Sequence, residues 1–107
     1  RIQARLIGQI KFADSTQLNE KAMLIRNWQA ILPYIVSNRR AITPTQKRRV
    51  VACCADSQAL VDIERTELPT DPIVTRSTTF ELVRQGRLLA EDLHQYALGP
   101  ASRFIAN

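Results

Sequence analysis

Glycine, histidine and cysteine are all scarce in this chain of 107 residues, with three, one and two copies respectively. Proline occurs five times and aromatic residues make up only 6%. Each scarcity excludes a class. Low glycine and proline exclude collagen-like and low-complexity chains. The three glycines, Gly8, Gly86 and Gly99, are isolated, so no glycine-rich phosphate loop exists. The single histidine, His94, leaves no second member for a paired histidine site. Cys53 and Cys54 are adjacent and have no other cysteine to pair with, which rules out a disulfide framework. An intracellular, reducing compartment is therefore the expectation. Long hydrophobic runs are also lacking. The longest uncharged stretch, Asn27–Asn38, has 12 residues, and a membrane span needs about 20 apolar ones. The first residues show no signal-peptide pattern. The chain begins at Arg1 rather than Met, so a processed, engineered or excised product is expected.

What remains is an ordinary globular composition, 45% hydrophobic and 23% charged. A chain of this size buries roughly two thirds of its unfolded surface, enough for one core without staples. The net charge is +5, but it is unevenly placed. Residues 1–49 hold ten basic and two acidic residues, a net +8, whereas residues 50–107 hold five and eight, a net −3. Arginine outnumbers lysine twelve to three, and its planar donor fork suits carboxylate and phosphate partners.

Helical periodicity runs through most of the chain. Ile2, Leu6, Ile10 and Ala13 share one face of a short helix over about 2–13, weakened by Gly8. Asp14 and Gln17 resemble a cap for the next helix. Leu18, Ala22, Ile25, Trp28, Leu32 and Ile35, widened by Leu24, Ile31 and Val36, predict one core-facing helix over about 17–37. Pro33 predicts a kink or early stop, and Asn38 a left-handed close. Thr43-Pro44-Thr45-Gln46 reads as a capping box with proline at the first helical position. The segment behind it, about 44–67, is one helix or two joined near Ala55–Ser57, with Asp56 as the second cap. Pro69 and Pro72 predict a loop over about 68–77. Thr78-Thr79-Phe80-Glu81 reads as a further capping box. Leu82, Gly86, Leu89, Leu93 and Tyr96/Ala97 then predict a helix over about 79–97, stopped by Gly99-Pro100. The expected fold is all-α: an irregular bundle of four to five helices in a single compact domain. A short hairpin within 68–77 is the minor alternative.

Five cations, Arg39, Arg40, Lys47, Arg48 and Arg49, bracket the second connection with no acid among them. They are candidates for contact with an acidic protein surface or with phosphate. The alternative is a solvated turn. Cations near a helix N-terminus oppose its dipole at a few tenths of a kcal/mol each, a cost that a partner would offset. Tyr34 on the long helix, with Phe104 and Ile105 in the tail, forms a possible apolar interface; Trp28 is expected in the core. A helix-turn-helix fails, because Ala55 stands where glycine suits the turn and Arg65 where burial is required. No RNA-binding aromatic signature is present.

Catalytic, cofactor and metal assignments are all negative. The adjacent cysteines lack the CxxC spacing of a zinc site and read as small core hydrophobes. Glu91-Asp92-Leu93-His94 is an E-x-x-H step, but a di-iron bundle needs two. No serine sits in a nucleophile elbow. None of these patterns matches a family motif. The leading expectation is a non-enzymatic helical interaction module, or a small subunit of a larger assembly, whose basic N-terminal half contacts an acidic partner. A nucleic-acid-binding regulator or packaging component using the same five cations is second. An accessory subunit completing an enzyme site elsewhere is third. The pattern leaves the oligomeric state open.

Overall fold

Apolar periodicity selects the helices, and their ends are set by caps. The computed structural model describes residues 15–107, with side chains from Leu18 onward. The expected helix over 2–13 and the Asp14 cap lie outside them. Helix α1 spans Ser15–Asn38 and runs through Pro33 without stopping. It closes through Asn38, whose side-chain amide donates to the Tyr34 carbonyl at 3.0 Å, with φ −116° rather than left-handed. A 3-10 turn, Arg39–Ala41, leads to helix α2, Pro44–Cys53. The Thr43 capping box is complete: the Gln46 amide donates to Thr43 Oγ1 at 3.2 Å and the Thr43 amide to Gln46 Oε1 at 2.9 Å.

The expected segment 44–67 is two helices. Helix α3 is Leu60–Thr66, preceded by the two-residue strand β1, Gln58–Ala59. Asp56 does not cap α3. Its first amides are satisfied by backbone from the end of the chain: Leu60 N–H donates to Ser102 O at 2.8 Å and Val61 N–H to Pro100 O at 3.0 Å.

The largest departure from the sequence reading begins at residue 72. Helix α4 spans Pro72–Arg84, where a loop was expected up to residue 77. Asp71 caps it, accepting from the Ile73 amide at 2.9 Å, and Pro72 takes the first helical position. The helix is the centre of the domain, with Thr75, Ser77, Thr78, Thr79, Phe80 and Leu82 buried. Its hydroxyls are tolerated inside because they bond back to their own helix: Ser77 donates to Ile73 O, Thr78 to Val74 O and Thr79 to Thr75 O, at 2.8–2.9 Å. Thr78 and Thr79 are thus interior helix positions and not a cap.

The expected helix over 79–97 ends at Arg84. Gly86, at φ +78°, closes α4 with Gly86 N–H donating to Val83 O at 3.0 Å and Arg87 N–H to Leu82 O at 2.9 Å. That is a Schellman ending, which needs a left-handed residue and favours glycine. Strand β2, Leu88–Ala90, follows; strand β3 is Arg103–Ala106. The sheet is antiparallel in the order β1-β3-β2, with Leu89 opposite Ile105 and Gln58 opposite Phe104. The domain is therefore mostly helical but not all-α. Between β2 and β3 the chain is held by Asn27, which is buried. Its amide donates to Leu93 O at 2.7 Å and Tyr96 O at 2.9 Å, and its oxygen accepts from Leu98 N–H at 2.9 Å.

The core lies between α1, α4 and the sheet. Ile31, Ile35, Val50, Cys54, Ile63, Phe80, Leu88, Leu93 and Phe104 fill it, with Trp28 half-buried at its edge. Tyr34, Phe80 and Phe104 form a chain of tilted rings, with centroids 5.6 and 6.4 Å apart.

Candidate functional site

The single apolar face expected on α1 is two faces. Asn27, Trp28, Ile31, Tyr34 and Ile35 turn inward. Leu32 and Val36 turn outward, 45% and 65% exposed. They form one wall of a groove at the C-terminal end of α1, closed by the 3-10 turn, the start of α2 and the end of α4. Leu32, Val36 and half-buried Ile42 supply apolar surface over buried Ile35. Arg39, Lys47, Glu81 and Arg84 supply charge, and the hollow measures about 420 Å³.

The electrostatics of this groove are lopsided. Glu81 is its one carboxylate, bonded by the Arg84 guanidinium at 2.7 Å. That bond holds the Glu81 carboxyl below its ordinary value, against its partial burial, and the charges of Arg84, Lys47 and Arg39 add to the effect. Three cations thus converge on one acid, and the groove keeps a net positive charge. Among the described residues, none of the ion pairs involves Arg39, Arg40, Lys47 or Arg48.

The five sequence-predicted cations are not equivalent. Arg39 and Lys47 face the groove. Arg40 lines an adjoining hollow of about 490 Å³, which shares Val36 and Arg39. Arg48 reaches only Thr45 Oγ1, at 3.3 Å. Arg49 pairs with buried Glu67 at 2.9 Å and holds α2 to the end of α3. Tyr34 lies elsewhere: its hydroxyl accepts from Arg76 at 3.3 Å, and the guanidinium carbon lies 5.5 Å from the ring centre. Arg76 also grips Glu64 at 2.8 and 3.2 Å, and that pairing raises its pKa. Phe104 is fully buried, so the tail docks on the core through it; Ile105 is half-buried beside exposed Leu89.

Arg84, Glu81, Leu32, Val36 and Ile42 escaped the sequence reading as site residues. Arg84 and Glu81 lie over thirty positions from Arg39 in the chain, and a helix drawn over 79–97 gave no reason to place them there. In the sequence Leu32 and Val36 belong to an apolar arc too wide for one core face, and that width is the available signal.

Chemistry is sparse elsewhere. Glu91 and His94 share no helix face, because their segment is not helical; Glu91 accepts from Ser57 Oγ instead. Ser57 also receives Arg103 at 2.8 and 2.9 Å. Among the described residues no three His, Cys, Asp or Glu side chains gather as a metal site, and no helix is long and apolar enough to cross a membrane. Cys54 is fully buried and its thiol is pushed up to about 12, first by burial and then by Cys53. Neither protein-family models, nor curated proteins, nor solved structures yield a match to this chain.

Proposed function

We propose that this domain is a non-enzymatic helical interaction module that docks an acidic protein segment in the groove between α1, α2 and α4. The observation that supports this reading is the convergence of Arg39, Lys47 and Arg84 on the single carboxylate of Glu81, beside exposed Leu32 and Val36. Exposed apolar side chains next to like charges stay unpaired in the free domain. A segment carrying both acids and apolar residues satisfies both at once. Phosphate alone would satisfy the cations and leave the apolar wall wet, which favours protein over nucleic acid. Arg39 and Lys47 act as rim charges that steer encounter; Leu32, Val36 and Ile42 act as the anchoring surface. The domain performs no chemistry of its own in this reading.

Selection of short displayed peptides that mix aspartate and glutamate with leucine, isoleucine and phenylalanine tests it. The selected peptides should lose binding to Arg39→Glu/Lys47→Glu and to Val36→Asp, and keep binding to Arg65→Glu. Peptides indifferent to all of these substitutions, or tight salt-sensitive binding of duplex DNA without any peptide selection, overturn the reading.

A further inference from the structure

The outward face of α1 does not end at the groove. Leu18, Ala22, Ile25, Gln29, Leu32 and Val36 follow one another at alternating steps of four and three, and all six are exposed. At about 100° per residue they fall on one stripe, away from the core face. At about 1.5 Å per residue the stripe runs some 27 Å along the helix. Alternating steps of four and three are the seam spacing of a coiled coil, with Leu18, Ile25 and Leu32 in one register position and Ala22, Gln29 and Val36 in the other. At the stripe's start none of residues 18–26 is buried, so among the described residues no layer covers it from below. Short helices in water depend on tertiary packing of an apolar face.

The charges beside the seam identify its occupant. Lys21 and Arg26 flank it and are exposed; among the described residues of α1 the one acid, Glu20, falls by helical spacing on the side opposite the stripe. At its C-terminal end the stripe opens into the groove of Arg39 and Lys47. A second copy would set these cations against their own kind. Residues 1–14 carry three cations and one acid, so they too repeat the charge rather than complement it. Resting on the reading above, we infer that the partner segment is a single amphipathic α-helix with acidic flanks, packed along the α1 stripe as a coiled coil that ends in the groove. Gln29, polar at the middle of the seam, fixes the register against a polar position of that helix. Lys21 and Arg26 pair with its flanking acids.

The test uses the whole chain and two peptide libraries. One consists of helix-forming peptides with apolar seam positions and glutamate flanks. The other has the same composition with a central proline that breaks the helix. The expected result is selection from the first library only. Binding of those peptides should fall about tenfold or more with Ile25→Asp, as for loss of a buried anchor. It should also fall with Lys21→Glu/Arg26→Glu and recover when the peptide glutamates become lysines. Circular dichroism confirms that both variants remain folded. Peptides lost with Arg39→Glu/Lys47→Glu but indifferent to Ile25→Asp leave the groove reading standing and overturn the helix. A dimer in sedimentation that Ile25→Asp dissociates gives the stripe to a second copy and overturns the acidic helix. Selection from neither library overturns both readings.

Discussion

The two faces of α1 use the same amino acids for opposite ends. Ile31 and Ile25 lie six positions apart on one helix, yet Ile31 is fully buried and Ile25 is 59% exposed. Hydrophobicity alone therefore does not locate the core. What separates the faces is company: the buried face includes Asn27, a polar residue with three backbone partners waiting for it. The outward face has no partner among the described residues of this chain. A buried polar residue, satisfied on every side, marks the inside better than an isoleucine does.

That contrast can be broken by truncating each side. Ile31→Ala should cost about 3 kcal/mol of stability, as for other large-to-small core changes. Ile25→Ala should stay within roughly 0.5 kcal/mol, as exposed positions do. Urea denaturation of both variants decides it; equal costs would mean that the outward face is packed after all. Asn27→Ala should come next, at about 2 kcal/mol, because it strands two carbonyls and the Leu98 amide. Its mark is local: hydrogen exchange at Leu98 should quicken more than exchange in α4.

The same contrast applies to the cations. Arg49→Gln should cost about 1 kcal/mol, because Glu67 is buried while Arg49 remains half-exposed and its pairing is screened by water. Arg48→Gln should leave the melting temperature unchanged. A reversal would return Arg49 to the free cations of the groove side.

A further effect is alkaline. Cys54 keeps its proton up to about 12, against an ordinary value of 9.0. In the unfolded chain the thiol releases its proton from about pH 9 upward, and the native state does not follow. The stabilisation is therefore complete below pH 9 and is lost progressively as pH rises from 9 toward 12. Melting temperature followed from pH 8 to about 10.5 should fall less in Cys54→Ala than in the unaltered domain, and native Cys54 should resist thiol reagents until unfolding.

Much of the helical architecture was legible, and the failures have physical causes. Thr43-Pro44 announces a cap followed by a first-turn proline, and both are present. Asp71-Pro72 carries the same signal, but Pro69 three residues earlier and a run of serine and threonine behind it made the segment look like a loop. Those hydroxyls are helical because they bond inward to their own carbonyls, which composition does not display. Gly86 fell on an apolar period and so passed for a helix residue, when its left-handed backbone ends the helix. The strands hold two, three and four residues, too few for a period of two to declare itself. The site was half legible. Arg39 and Lys47 announced themselves by local density, whereas Arg84 and Glu81 reach the groove only through tertiary folding.

Strand β3 comes last along the chain and stands in the middle of the sheet. β1 and β2 have no hydrogen-bonded neighbour until it arrives, and the first amides of α3 have no acceptors until residues 100 and 102 are in place. On a ribosome, the helices can form one after another as they emerge. The sheet, and with it the seat of Phe104 against Phe80, closes only after Ala106 has cleared the exit tunnel. Until then the growing chain carries an open core, and chaperones that hold exposed apolar surface have their opportunity before residue 106 emerges.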